Sequence, residues 1–135
     1  MQGDEALAGE NKKVKYVLTL TEAQAKICAI ACEFYARIRM GQFNEITYHL
    51  MMEQDFNDKW CERRDIAESC LLAARKAIYP ELGPMGHSFG IGKFDDADMS
   101  FDIYQVLCEK FPYDGRTPFS YCELPKCEVI EEGDV

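Results

Sequence analysis

No run of eighteen apolar residues occurs in this sequence, so it offers no helix able to span a bilayer. Positive charge is also short. Fifteen Lys and Arg face 24 Asp and Glu, for a formal net charge of −9 and a pI near 4.7. A sequence-independent nucleic-acid binder needs a basic face to neutralise phosphates, and that class is disfavoured. The dinucleotide fingerprint, the P-loop lysine and the strand–turn–helix nucleophile elbow are all missing. No catalytic motif is complete and no internal repeat is present. Trp60 and the tyrosines are scattered, without the basic groove that single-strand stacking requires.

What remains is a chain of 135 residues and 15.5 kDa, the size of one ordinary domain. Its 47% hydrophobic and 29% charged residues exclude a disordered chain, a fibrous repeat and a membrane bundle. The acidity is unevenly spread. Residues 1–10 carry −3 and residues 123–135 carry −4, which leaves −2 on the body between them. The charge therefore argues against large polyanions and not against one small anion, which needs only one or two placed arginines.

Seven cysteines is a high and odd number. Residues 1–10 are acidic and lack an apolar stretch of signal-peptide length, so the expectation is a cytosolic protein with reduced, mostly buried thiols. A zinc site is the sharper alternative. Cys28 and Cys32 are four apart but on a helix, Cys122 and Cys127 are five apart, and His49 and His87 share no ligand spacing with them. The alternating oxygens of Asp96, Asp98, Ser100 and Asp102 imitate a calcium loop. Phe101 and Leu107 stand where its glycine and bidentate Glu belong, so a helix cap is the better reading. No metal and no cofactor is expected.

The expected fold is mainly α (α+β), about four helices with one or two short strands pairing the chain ends. Residues 1–13 read as a lead-in, 14–122 as a single globular domain and 123–135 as an acidic tail. Val14–Leu20 is β-branched and aromatic and suits a strand. Thr21 with Gln24 forms a capping box opening a helix whose apolar residues are Ile27, Ile30, Ala31, Phe34 and Ile38, closed by Gly41. A second helix is expected over Phe43–Glu53, with Phe43, Ile46, Leu50 and Met51 inward. A third, capped by Asn57 or Asp58, runs to about Tyr79 with a stripe of Ile66, Cys70, Ala73 and Ala77, and Pro80 ends it. A fourth, capped by Asp96 or Asp98, continues to about Lys110 with Phe101, Tyr104, Leu107, Cys108 and Phe111 inward. A further strand is expected near Phe119–Cys122.

Two features point to binding. Residues 81–95, the longest non-periodic segment, hold Gly83, Gly86, Gly90 and Gly92 among Met85, His87, Phe89, Ile91 and Phe94, too apolar for a mere connection, and are expected to fold onto the body or over a ligand. At the end of the first helix Arg37 lies one turn from Glu33, whereas Arg39 points roughly 200° away with no such partner. An arginine there can grip a carboxylate or phosphate in fork geometry. The candidate ligand-binding residues are Arg39, Gln42, His87, Ser88, Phe89, Gly90, Tyr104 and Gln105. No catalytic residue is assigned, because adjacent His87 and Ser88 point apart in an extended loop.

The Tyr35-x-Arg37 helix end, the Met40-Gly41-Gln42-Phe43 turn, the glycine loop and Asp102-Ile103-Tyr104-Gln105-Val106 together resemble a group of small bacteriophage- and prophage-encoded proteins, over about half of the chain. The resemblance implies a phage accessory protein in the host cytoplasm, of a kind that often counters host immunity. By analogy, its partner is a small nucleotide-type signal that is sequestered, or a host defence protein that is bound by an acidic nucleic-acid mimic. An enzyme with an unrecognised site ranks last. No membrane and no direct DNA contact are expected, and a homo-oligomer with its pocket across a two-fold interface fits so small a domain.

Overall fold

The computed structural model describes residues 13–83, 88–111 and 124–131. The elements in chain order are β1 (Val14–Thr19), α1 (Glu22–Arg39), α2 (Glu45–Met51), α3 (Asp58–Ile78), α4 (Asp95–Lys110) and β2 (Lys126–Glu131). Four helices and a two-stranded sheet joining the N- and C-terminal regions make the fold mainly α with a small β part. The strand expected near Phe119–Cys122 falls outside the described residues. Pairing is instead made by Lys126–Glu131, inside the segment read as an acidic tail.

The chain divides into two compact units, one built on its two ends and one on residues 26–112. In the first, β1 and β2 run antiparallel with Val14 opposite Glu131 and Thr19 opposite Lys126. Side chains alternate across a strand. One face thus carries Val14, Tyr16, Leu18, Cys127, Val129 and Glu131, and the other Lys15, Val17, Thr19, Lys126, Glu128 and Ile130. Every residue of both strands is exposed. The start of α1 belongs to this unit. Thr21 Oγ1 accepts the Gln24 N–H at 3.2 Å and Gln24 Oε1 accepts the Thr21 N–H at 3.0 Å, the reciprocal box read from the sequence.

The second unit is helical. Gly41 ends α1 with φ +93°, its N–H donating to the Ile38 carbonyl at 3.0 Å while Gln42 N–H reaches Arg37 O at 2.9 Å. This pair of bonds is the Schellman stop. A Cβ here would sit 2.6 Å from Leu82 Cδ1, so that side-chain end would have to move aside. α2 is shorter than Phe43–Glu53, and Leu50 is exposed where Phe43 and Met51 are buried. Asn57 caps α3 by accepting the Trp60 N–H at 2.8 Å, and the buried Trp60 indole donates to Met51 O at 2.9 Å, tying α3 to the end of α2.

Three inward faces differ from the expectation. On α1 the buried positions are Ala23, Ala29 and Ala36, with Met40 just past its end, whereas Ile27, Ile30 and Ala31 are exposed. On α3 Trp60 and Arg75 are buried, and Ile66, Cys70, Ala73 and Ala77 face outward. On α4 Ala97 and Ser100 are buried and Cys108 is exposed. The physical reason is close approach. Ala36 and Ala97 are wholly buried against Met40, with Phe89, Phe94 and Phe101 packed around them. Ser100 Oγ donates to Cys32 O at 2.6 Å. Small side chains bring α1 and α4 together, so the seam follows size and not hydrophobicity.

The cap of α4 also differs. Phe94 occupies the N-cap position with no side-chain capping bond. Asp98 instead accepts the Gly92 N–H at 3.1 Å through both carboxylate oxygens. Gly92 has φ +96°, which glycine tolerates, so Asp98 orders the preceding turn, while within the first turn of the helix Asp96 Oδ1 accepts the Ala97 N–H at 2.8 Å.

Candidate functional site

The end of α1, the start of α4 and residues 88–94 meet around Arg39. In the sequence Arg39 has no partner one turn away; in the fold it has three. Its Nε donates to Asp96 Oδ2 at 3.1 Å and its Nη1 to the Tyr79 hydroxyl at 2.9 Å. The guanidinium carbon lies 3.7 Å from the centre of the Phe94 ring, a close cation–π stack. Tyr79 donates in turn to the Arg39 carbonyl at 2.8 Å, satisfying one of the orphan acceptors at the helix end. The Arg39 side chain is 35% exposed. Among the described residues its Nη2 carries no hydrogen bond.

Asp96 holds the centre of this arrangement. Its Oδ2 accepts from the Tyr35 hydroxyl at 2.7 Å as well as from Arg39, and its Oδ1 accepts the Ala97 N–H at 2.8 Å. The Tyr35 bond, then the Arg39 bond, hold its carboxyl below the ordinary aspartate range despite some desolvation. The same contact with Asp96 raises the Tyr35 phenol above its usual value. Tyr79 and then Asp96 raise Arg39, which stays a cation throughout.

Beneath the ion pair lies an aromatic cluster. Tyr79 packs edge-on to Phe89 with centroids 5.2 Å apart, and Phe89 packs edge-on to Phe94 at 5.3 Å. The Phe89 N–H donates to Met40 O at 2.9 Å, so residues 88–94 are fastened to the end of α1. This agrees with an apolar loop folding onto the body.

On the opposite side of α1, Glu33 accepts from Arg37 at 3.1 and 3.2 Å, the i,i+4 pair expected. Arg37 Nη1 also donates to Gln42 Oε1 at 2.9 Å, and Gln42 Nε2 reaches Ser88 Oγ at 3.3 Å. The Arg37 guanidinium lies over Phe101, whose ring neighbours Tyr104 at 6.3 Å. Burial raises the Tyr104 phenol, with Glu33 adding to the effect.

The candidates therefore divide. Arg39 and Phe89 come together around Tyr79 and Phe94; Gln42, Ser88 and Tyr104 belong to the Arg37 side, and Gln105 is exposed on α4. Gly90 faces open space, and the positive φ of this segment belongs to Gly92. His87 lies outside the described residues. The sequence reading missed Asp96 as a partner and Tyr79, and it named Phe94 in the apolar loop without setting it beside Arg39. The missed signals were an acid in excess of capping need and a tyrosine just before Pro80. Among the described residues no group of three His, Cys, Asp or Glu side chains is placed to hold a metal ion. No helix among them is long and apolar enough to cross a membrane. Compared with family models, curated proteins and solved structures, the chain matches none.

Proposed function

We propose that this chain is a non-catalytic binding protein that captures a small phosphate-bearing, nucleotide-type ligand at the Arg39 end of α1. In the setting implied by the phage resemblance, that ligand is a host immune signal withdrawn from its receptor. The observation that carries the reading is the state of Arg39. Its plane is fixed by Phe94, its Nε and Nη1 are held by Asp96 and Tyr79, and its Nη2 is uncommitted among the described residues. A phosphate can take Nη2 and exchange with the exposed Asp96 for Nε, converting one fork partner into another. Aromatic rings at the same place supply surface for a base, Tyr35 being the exposed one. Capture needs few polar anchors and no nucleophile–base pair.

Calorimetry against cyclic and linear nucleotides, with inorganic phosphate as control, tests this. Arg39→Ala is expected to weaken binding at least about tenfold, in line with a charge-assisted hydrogen bond of about 1.5–3 kcal/mol. Asp96→Asn removes the competing anion and is expected to tighten it. Absence of binding to every nucleotide, or undiminished binding by Arg39→Ala, overturns the proposal. Capture of a basic protein whose binding is lost when the acids of α4 are neutralised would support the mimic instead.

A further inference from the structure

The Arg39 end of α1 is poor in positive charge for a strongly anionic ligand. Its cations are Arg39, stacked on Phe94, and Lys93, whose Nζ lies 5.4 Å from the centre of the Phe89 ring. Against them stand Asp95, Asp96 and Asp98, all in the first turn of α4. Asp95 sits between the residue that stacks on Arg39 and the residue that bonds it. Asp98 grips the N–H of Gly92, next to Lys93. Two cations thus meet three carboxylates, one negative charge in excess. A helical turn rises about 5.4 Å, less than the Debye length of about 8 Å at physiological ionic strength. Salt therefore does not hide these aspartates from a charge placed beside Asp96. Farther off, buried Arg75 donates to Gly83 O and exposed Glu81 has the opposite sign, so this pair leaves the balance unchanged. The dipoles of the α1 end and the α4 start are opposite in sign and offset as well.

The donors on offer are few. Nε and Nη2 form the side edge of the Arg39 guanidinium, a fork that meets two oxygens. Filling both prongs displaces Asp96 from Nε, yet Asp96 keeps the Tyr35 hydroxyl and the Ala97 N–H. Its negative charge therefore stays beside the incoming group. A phosphodiester has two non-bridging oxygens and one charge, which the fork matches. A terminal phosphate brings a third oxygen and, near pH 7, a charge of about −1.5 to −2, both to be placed among the aspartates.

We infer, resting on the nucleotide-capture reading above, that the Arg39 site takes nucleotide phosphodiesters, cyclic or internucleotide, and discriminates against terminal phosphomonoesters and polyphosphates. Lys93 offsets one aspartate and leaves none of its charge for a second phosphate. A long strand gains nothing from its further phosphates either, because residues 11–122 carry a net −2.

Calorimetry on the full chain compares matched probes. For each of the four common bases, the 3′,5′-cyclic monophosphate is set against the 5′-monophosphate, with 3′,5′-linked dinucleotides and a ten-residue single strand alongside. The diester is expected to bind at least about threefold tighter than the monoester of the same base, the effect of one more opposed unit charge at about 6 Å in water. Arg39→Ala is expected to remove diester binding. Asp95→Asn, at an exposed position, is expected to narrow the diester-to-monoester ratio at least twofold, with circular dichroism confirming that the helices remain. Monoesters bound as tightly as diesters, or a ratio unmoved by Asp95→Asn, overturn the diester preference and leave capture at Arg39 standing. Absence of binding by every probe, or diester binding indifferent to Arg39→Ala, overturns both. Affinity that climbs with strand length overturns the inference in favour of a groove for a polyanion.

Discussion

The Tyr35 hydroxyl donates at 2.7 Å to Oδ2 of Asp96, an oxygen that also receives Arg39 Nε at 3.1 Å. Two donors from the last turns of α1 thereby converge on one acceptor in the first turn of α4. That acceptor sets the pH behaviour of the junction.

Asp96 has its folded pKa depressed, so its contribution is present above the unfolded value of about 3.9 and is lost as pH falls through the folded one. Thermal unfolding followed from neutral pH downward is expected to show wild type losing stability through the carboxylate range more steeply than Asp96→Asn. Parallel curves for the two proteins would remove Asp96 from the junction. Tyr35 has the opposite sign. Its folded pKa is raised, so its contribution is present below about pH 10 and lost in alkali, and Tyr35→Phe is expected to abolish that alkaline component.

Gly41→Ala is expected to destabilise by about 1 kcal/mol or more, because the residue sits at φ +93°. Part of the loss is steric, from the Cβ approach to Leu82. Denaturant melts of Gly41→Ala with and without Leu82→Ala separate the two. The conformational part survives in the double variant.

Substitution in the segment before α4 discriminates between its glycines. Gly92→Ala is expected to lower the melting temperature, since φ is +96° and its N–H bonds Asp98. Gly90→Ala meets no atom within 4 Å and is expected to leave stability within about 0.5 kcal/mol of wild type. Any loss of nucleotide capture by a bulky residue at Gly90 would then report ligand contact and not misfolding.

Ala36→Leu or Ala97→Leu forces volume into the seam between α1 and α4, where both alanines are wholly buried, and is expected to cost about 1–3 kcal/mol. Ile27→Gln, on the exposed face of the same helix, is expected within about 0.5 kcal/mol of wild type. The contrast, measured by urea unfolding, checks that the small-residue face of α1 is the inward one.

Features that act within a few residues were legible in the sequence. The Thr21–Gln24 box, the Asn57 cap, the Gly41 stop and the end of α3 before Pro80 all formed as their residue types require. The inward faces were not legible, because the rule that large apolar residues point to the core fails where helices touch through alanine and serine. The candidate site was half legible. Arg39 and Phe89 announced themselves by position and by apolarity in a loop. The partners of Arg39 stand 40 and 57 residues away, and only packing of α1 on α4 brings Asp96 to it. Asp98 misled because aspartates near a helix start serve turns as readily as caps.

The ribbon pairs Thr19 with Lys126, so its two strands lie at the far ends of a long loop of chain. The helices close over neighbouring residues and need nothing from residue 126 onward for their own hydrogen bonds. On a ribosome, β1 therefore emerges well before its partner and waits, with its valines, Tyr16 and Leu18 unmatched, until residues 126–131 have been made. During that interval the nascent protein presents a lone strand edge, which makes translation the period when this molecule is most open to pairing with the wrong neighbour.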